Sequence, residues 1–485
     1  MAHQAAQHPS TSQRIIRKLA DIELYHTATH LLGQYVGTVL SVTYIIPTPP
    51  STQLQARFEA AIAQTILQHP ILQVAITGED SPDPSFVQLS SVNLRHHITW
   101  RSPLASSKEQ VLQKQLDTKF TRLDTTPGWR IVILAQQEGT LDVLFAWNHA
   151  ICDGISGKTF HESLLAHLNS ATPSSADIHG GTLNLPAIRA FPPPATSAKF
   201  PLGPRYLVAA LWDEYKPPAF AQPARWAPVR PSPYKTALRS VKLAAGLLQG
   251  VLSACRNHGT TLTGLLHALA LVSLATSVPP REAAGFRSET ALDMRRFVQG
   301  AGAALAMGNL CSSTHHCFGR RATSRLRERI KRAGGNSGRR KAMLAETVWA
   351  VARQVRREIQ TALDKGTRDN ILGLMRFVKD WRRQMAKYVR KPRMIGWAVT
   401  NLGILDGEPV LDGERTCAGE RWRVGEARFT LSAQASGAAI SISVISVKRA
   451  SLCMDVSWQD GLVDALIVEK LVTDLGEWLE YLATV

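Results

Sequence analysis

Residues 145–157 read Phe-Ala-Trp-Asn-His-Ala-Ile-Cys-Asp-Gly-Ile-Ser-Gly. Leu141–Trp147 overlaps the start of this stretch. Its side chains are apolar on both faces of the predicted strand, which is typical of a central strand in a covered sheet. Apolar residues spaced three or four apart over 160–168 predict a helix after it. The stretch therefore places His149 and Asp153 in a loop between a buried strand and a helix, and such loops often carry catalytic side chains.

His149, Asp153 and Gly154 form a His-x-x-x-Asp-Gly pattern. Histidine titrates near neutral pH, so His149 can take a proton from an alcohol and later return it. Asp153 can hold the loop in shape without touching a substrate, and Gly154 permits a backbone conformation that other residues resist. Such a pair also occurs by chance, and it is the strand–loop–helix setting that favours a catalytic interpretation.

Strands and helices recur on both sides of this stretch. Val36–Ile46 reads as a strand, Leu262–Leu274 as a buried helix, and residues 438–458 as two further strands. A stretch rich in Pro, Ala and Ser separates the two halves and predicts a linker. We therefore expect an α/β protein with two lobes. Its parts are a disordered N-terminus (1–13), an N-terminal lobe with the histidine motif (14–170), the Pro-rich linker (171–235) and a C-terminal lobe (236–485).

The formal net charge is +18, and half of this excess lies in residues 320–341, which hold ten Lys or Arg against one acid, Glu328. Because glycines interrupt this run, it is typical of a solvated, mobile insertion. The insertion carries no aromatic residues that could stack on bases, so we expect no nucleic-acid partner. A basic surface would instead help to gather anionic substrates.

Targeting and metal signals are weak. The six cysteines form no dense disulfide framework, and the N-terminus has no apolar signal-peptide region, so we expect a cytoplasmic protein. The longest apolar run, Leu262–Val278, is short for a membrane span and predicts a core helix. Cys311 and Cys317 have two histidines between them, but their spacing fits no standard zinc pattern, so we expect no metal site. His26 reads as a surface or core histidine.

The stretch 145–157 resembles the active-site motif of the coenzyme-A-dependent acyltransferase superfamily. This superfamily includes chloramphenicol acetyltransferase, plant BAHD acyltransferases and peptide-synthetase condensation domains. From about residue 20 onward the chain is most similar to the fungal alcohol acetyltransferase family. The plant Asp-Phe-Gly-Trp-Gly element is missing, and the basic insertion has no counterpart. Five further segments carry the resemblance in the expected order: Glu23–Tyr35, His69–Ile76, Cys255–Leu266, Ala291–Phe297 and Trp397–Gly407.

The resemblance implies two chloramphenicol-acetyltransferase-like α/β lobes with an active-site tunnel between them. Acetyl-CoA, or another acyl-CoA, would enter as co-substrate from one end and the alcohol from the other. His149 would act as general base, and the alkoxide would attack the thioester directly, without an acyl-enzyme. Asp153 would be structural and would pair with an arginine of the other lobe. Arg295 is the first candidate for that arginine and Arg296 the second.

Some alternatives stay open from the sequence. Asn401, in Thr-Asn-Leu-Gly, is a candidate substrate-binding residue, but Asn is also a common turn residue. The acceptor could be a hydroxylated secondary metabolite. The donor could instead be an acyl group on a carrier protein, as in condensation enzymes, or the chain could be an inactive relative that only binds a partner. We expect a monomer without a transmembrane segment.

Overall fold

The computed structural model describes residues 14–48, 53–102, 107–135, 139–170, 178–188, 191, 198–217, 221, 223–298, 307–334, 337–408 and 421–484. The proposed disordered N-terminus, 1–13, lies outside these residues. The strands, in chain order, are β1 (Ile15–Lys18), β2 (Thr38–Ile45), β3 (Val74–Thr77), β4 (Ser85–Gln88), β5 (Ser91–Asn93), β6 (Ile98–Arg101), β7 (Trp129–Ala135), β8 (Thr140–Trp147), β9 (Ile178–His179), β10 (Thr182–Asn184), β11 (Thr236–Leu243), β12 (Phe286–Asp293), β13 (Cys311–Phe318), β14 (Trp397–Leu405), β15 (Arg423–Leu431), β16 (Ile440–Val447) and β17 (Leu452–Gln459).

The helices pack around these strands. In chain order they are α1 (Asp21–Leu31), α2 (Leu54–Gln68), α3 (Leu94–His97), α4 (Lys108–Asp117), α5 (Gly154–Asn169), α6 (Pro204–Tyr215), α7 (Ala245–Asn257), α8 (Leu262–Ser277), α9 (Arg320–Ala333), α10 (Ser337–Lys365), α11 (Ile371–Met375), α12 (Trp381–Tyr388) and α13 (Ala465–Thr484).

Two large mixed sheets organise the described residues. The first sheet has the order β15-β2-β8-β7-β6, and the second has the order β11-β17-β16-β14-β12-β13. Each sheet has its own apolar core, with Val143 and Phe145 in the first and Leu265 and Val444 in the second. Two small sheets, β1-β4-β3 and β5-β10-β9, flank the first. The site described below lies where the two large sheets meet.

Strand β15 comes from the segment assigned to the C-terminal lobe but pairs antiparallel with β2 in the first sheet. Its Phe429 packs in the first core, together with Leu402 from β14. The chain therefore passes from the first sheet to the second through the linker, and a later segment, β15, returns to the first sheet.

The local patterns around the motif predicted the central strands well. Strands β2 and β8 lie at the predicted places. Helix α8 begins after Thr261, whose side chain caps it by accepting from the Gly264 amide. The first described residues form β1 followed by α1, and the guanidinium of Arg17 in β1 contacts the carboxylate of Glu23 in α1 at 2.7 Å. Within the described residues no single helix is long and apolar enough to cross a bilayer. Helices α7 and α8 reach that length only as a pair bent by 92°.

The basic stretch 320–341 is not a mobile loop where the structure describes it. Most of it forms α9 and the start of α10. Leu326 is buried at the contact of α9 with the core of the second sheet. The Arg327 guanidinium donates to the carbonyl oxygens of Val278 and Ala283, at 2.9 and 2.8 Å. The prediction of a solvated, mobile insertion was therefore wrong for these residues. A few apolar side chains at helical spacing pack on the core, and Arg327 donates to carbonyl oxygens that would otherwise be free.

Candidate active site

His149 lies in a tightly folded loop between β8 and α5. The Asn148 side chain accepts from the Ala150 amide at 2.9 Å, and the Trp147 indole donates to the Cys152 carbonyl at 2.9 Å. Trp147 is fully buried. Because its neighbours are fixed in this way, the half-buried His149 side chain projects from a rigid support.

Asp153 caps the N-terminus of α5. Its Oδ1 accepts from the Ser156 amide at 2.9 Å, and its Oδ2 accepts from the Leu310 amide at 2.9 Å. Both oxygens also accept from the guanidinium of Arg295, at 2.8 and 2.9 Å. Acidic caps are favourable at a helix N-terminus, and here the same carboxylate also joins the first sheet to residues that follow β12 and precede β13.

Arg295, rather than Arg296, is the arginine that meets Asp153. It follows β12 of the second sheet and is 4% exposed, while Asp153 is 2% exposed. Burial alone would raise the pKa of Asp153, but the charge and hydrogen bonds of Arg295 hold that pKa below its ordinary value. Arg295 also contacts the more exposed Asp293 at 2.9 Å. The bidentate pair is thus a charged, buried connection between the two sheets.

Gly154 is required for a different reason from the one that the sequence suggested. It does not adopt the left-handed conformation that favours glycine. A Cβ at this position would instead lie 2.6 Å from Leu402 Cδ2 and 3.0 Å from Phe429 Cζ. The residue is small because side chains from β14 and β15 come close to the start of α5.

Asn309 is a site residue that the sequence analysis missed. It lies just before β13, is 2% exposed, and donates from Nδ2 to the His149 backbone oxygen at 2.7 Å. The same nitrogen is 3.4 Å from His149 Nδ1. The neighbouring Gly308 amide donates to the Ser156 hydroxyl at 2.9 Å. Nothing in the local pattern Met-Gly-Asn-Leu distinguishes Asn309, because its role depends on the contact between the sheets.

The ring of His26, which the sequence predicts as a surface or core histidine, contacts the motif histidine. The two imidazoles stack with centroids 3.9 Å apart and planes 8° from parallel. Tyr35 lies on another side of His149, at 5.8 Å between ring centroids. Burial lowers the pKa of His26, and the nearby His149 lowers it further. Burial also lowers the pKa of His149, against the opposing effects of a hydrogen bond to its own backbone and of the Asp153 charge. Both rings are therefore neutral at pH 7.

Metal binding at this place is geometrically unfavourable. Ligand atoms of His26, His149 and Cys311 lie within 4.8 Å of one another. However, stacked parallel rings direct their in-plane lone pairs in parallel, so both cannot meet on one ion unless a ring rotates. Cys317 cannot complete such a site, because it lies near the far end of the extended strand β13, about 20 Å from Cys311 at the usual rise per residue.

Asn401 lies away from these contacts. Its Oδ1 accepts from the Gly403 amide at 2.9 Å, and its Nδ2 donates to the Thr263 hydroxyl at 3.2 Å. Gly403 has a φ of +72°, and the β14–β16 register shifts between Asn401 and Ile404. The side chain thus stabilises an irregular turn in β14, and its part in substrate binding stays a prediction.

Comparisons with known proteins find similar sequences for the motif region and for nearly the whole chain. The family model described as alcohol acetyltransferase matches residues 105–180, which include the His149 loop. The probable alcohol acetyltransferase FCK4 of Fusarium pseudograminearum is 27% identical over 96% of this chain and 95% of that protein. The probable alcohol acetyltransferase crmB of Aspergillus fumigatus is 25% identical over 95% of this chain and 98% of that protein.

Solved structures share the fold. The trichothecene 15-O-acetyltransferase TRI3 of Fusarium sporotrichioides superposes with a TM-score of 0.72 at 16% identity, covering 99% of this chain and 97% of that one. The first condensation domain of the calcium-dependent antibiotic synthetase superposes with a TM-score of 0.56 at 14% identity, covering 97% and 96%. This is the mixed α/β fold of chloramphenicol-acetyltransferase-like proteins. Together with the family-model match over residues 105–180, the two fungal relatives show that the chain is similar to probable alcohol acetyltransferases along nearly its whole length.

Proposed function

We propose that this protein is an O-acyltransferase that moves an acyl group, acetyl in the first instance, from coenzyme A to an alcohol hydroxyl of a secondary metabolite. The observation that carries the proposal is the convergence of both sheets on His149. The first sheet supplies the loop of His149 and Asp153, and the second supplies Arg295 and Asn309. We place the two substrates in a tunnel between the sheets, entering from opposite ends.

His149 suits the role of general base. Because burial lowers its pKa, the ring is unprotonated at pH 7 and can accept a proton. A hydrogen bond from Nδ1–H to its own backbone carbonyl would assign the proton to Nδ1 and leave the Nε2 lone pair for the substrate. Asn309 donates to that same carbonyl and so fixes the backbone from which the ring projects.

The proposed reaction proceeds in two steps. Nε2 of His149 removes the hydroxyl proton as the alcohol oxygen bonds to the thioester carbonyl carbon. The carbon–sulfur bond of the tetrahedral intermediate then breaks, and Nε2 gives the proton to the departing thiolate. The products are an ester and free coenzyme A. Burial raises the pKa of the Cys152 and Cys311 thiols, so neither is a ready nucleophile, which supports direct transfer without an acyl-enzyme.

Asp153 has a positioning role in this proposal. Both of its oxygens are engaged by Arg295 and by backbone amides, so it is not available to relay a proton from His149. Its function is to fix the start of α5 and to hold the two sheets together at the site.

The first experiment is thiol release from acetyl-CoA against a panel of simple and polycyclic alcohols. It compares wild type, His149→Ala and the matched control His96→Ala, since His96 is an exposed histidine outside the site. We expect His149→Ala to lose about a hundred- to ten-thousand-fold in rate and His96→Ala to retain wild-type activity. An active, folded His149→Ala protein would remove His149 from the mechanism.

An acyl group on a carrier protein, used as a second donor, tests the alternative of a condensation-type enzyme. If wild type is inactive with acetyl-CoA but transfers an acyl group from a carrier-protein thioester, the chain is a condensation-type enzyme. If neither donor reacts with any alcohol, the chain is a binding relative. Intact-mass measurement after mixing with acetyl-CoA alone should show no covalent acetyl adduct if transfer is direct.

A further inference from the structure

Helix α6 exposes an apolar stripe. Val208, Leu211, Trp212 and Tyr215 are 68, 59, 55 and 78% exposed. Their spacing of three, one and three residues places them on one helical face. None of the residues of α6 is buried. A contiguous patch of two aromatic and two aliphatic side chains is uncommon on a protein surface that faces only water.

Two acidic residues of α6 contact neighbouring elements. Asp213 accepts from Arg287 at 2.6 Å. Glu214 accepts from Tyr388 at 3.2 Å and pairs with Lys391. A surface helix ordinarily turns its apolar side inward and its charged side to water. Here the charged side chains anchor the helix and the apolar ones point outward, so the exposed stripe is not a poorly packed core face.

A strongly basic segment borders both ends of α6. Residues 365–391 hold nine Lys or Arg and two Asp. Asp369 of this segment accepts from the Gly203 amide at the helix start, at 2.7 Å, and Lys391 pairs with Glu214 near the helix end. The same segment exposes another aromatic side chain, Phe377, at 61%.

We propose that α6 docks on an anionic lipid surface, with Trp212 and Tyr215 at the level of the head groups and the basic segment 365–391 facing lipid phosphates. Tryptophan and tyrosine favour the membrane–water interface, and basic residues beside an apolar helical face are typical of peripheral attachment to anionic lipids. The aliphatic members of the stripe have no hydrogen-bonding capacity for a nucleic acid. The proposal does not depend on acyl transfer.

The test is flotation of the full-length protein with vesicles of phosphatidylcholine alone or mixed with phosphatidylserine. The variant Val208→Ser/Leu211→Ser/Trp212→Ser removes most of the stripe. The matched control is Leu466→Ser, which removes an apolar side chain that is 77% exposed on α13. We expect wild type and the control to float with the mixed vesicles. The triple variant should lose at least about tenfold in partition coefficient, because apolar side chains no longer leave water. All of the changed residues are exposed, and circular dichroism verifies the fold.

A charge variant tests the second half of the proposal. Lys387→Glu/Arg390→Glu changes two exposed residues of the basic segment and should weaken binding to the mixed vesicles, as should high salt. The proposal would be overturned if the wild-type protein does not float with either kind of vesicle, or if the triple variant binds as well as wild type. A wild-type dimer that the triple variant dissociates, without vesicle binding, would assign the stripe to a second copy of the chain instead.

Discussion

The imidazole of His26 lies flat against that of His149, with ring centroids 3.9 Å apart. His26 belongs to α1, far from the motif in sequence, and its buried Nδ1 has no hydrogen-bond partner within the described residues. The ring therefore contributes a flat, neutral surface that limits rotation of His149, with Asn309 fixing the backbone of the same residue.

This relationship predicts different outcomes for two substitutions of His26. His26→Phe keeps an aromatic surface and should stay within a few-fold of wild-type kcat. His26→Ala removes the surface and should lower kcat by about tenfold or more, since small misplacements of a catalytic group are costly. Opening the site to water should also move the pKa of His149 up toward about 6.5, which a pH–rate profile would detect. Equal losses in both variants would instead indicate a direct role for a ring nitrogen.

The Asp153–Arg295 pair should contribute to stability as well as to activity. Asp153→Ala leaves a buried guanidinium without its main partner, and breaking such a pair costs about 3–5 kcal/mol. Asp293→Ala removes the other carboxylate that contacts Arg295, but this carboxylate is 42% exposed, so the cost should be about 0–1 kcal/mol. Urea denaturation of both variants gives the comparison. Similar costs for the two would mean that the buried pair has no special role.

Two asparagines near the predicted site should behave differently. Asn309→Ala removes the hydrogen bond to the His149 carbonyl and should lower kcat by about ten- to a hundredfold with little change in KM. Asn401→Ala removes turn contacts in β14 and should cost about 1 kcal/mol of stability. A raised KM for the alcohol in Asn401→Ala would support the prediction that this residue binds substrate, and an unchanged KM would contradict it.

Acid should destabilise the protein through its buried histidines. Burial is the main cause that lowers the pKa of His30 and of His161 to about 3, whereas a histidine in the unfolded chain titrates near about 6.5. Between these values the unfolded state binds protons that the native state does not. The free energy of unfolding therefore falls as the pH drops below about 6.5, by up to about 1.4 kcal/mol per pH unit for each histidine.

Denaturation curves at pH 7 and pH 5 check this slope. His161→Gln should be less stable at pH 7, because it loses contacts with Tyr44 and Leu40, but should show a smaller pH dependence. The exposed His96→Gln variant should match wild type at both values. A His161→Gln protein with the full wild-type slope would contradict the assignment.

The features that could be predicted from the sequence are those set by residues close together in the chain. The apolar pattern of β8 and the helical spacing after it placed His149 in a loop, and the resemblance pointed to Arg295 ahead of Arg296. Asn309 was missed, and the contact of His26 with His149 was not predicted, because contacts between distant segments give these residues their positions. The basic helix α9 was misread because its few apolar positions, such as Leu326, are outnumbered by charges, although they suffice to dock one face.

The pairing of β15 with β2 has a consequence for how the chain reaches its native state. Thr38 and Leu431 are register partners, so during synthesis β2 keeps one unsatisfied edge until nearly all of the polypeptide has left the ribosome. Unpaired edges of apolar strands invite association with other chains. A fragment that ends at the linker would carry the complete His149 motif and yet present this open edge, so bisecting the gene there should yield aggregates rather than an autonomous N-terminal half.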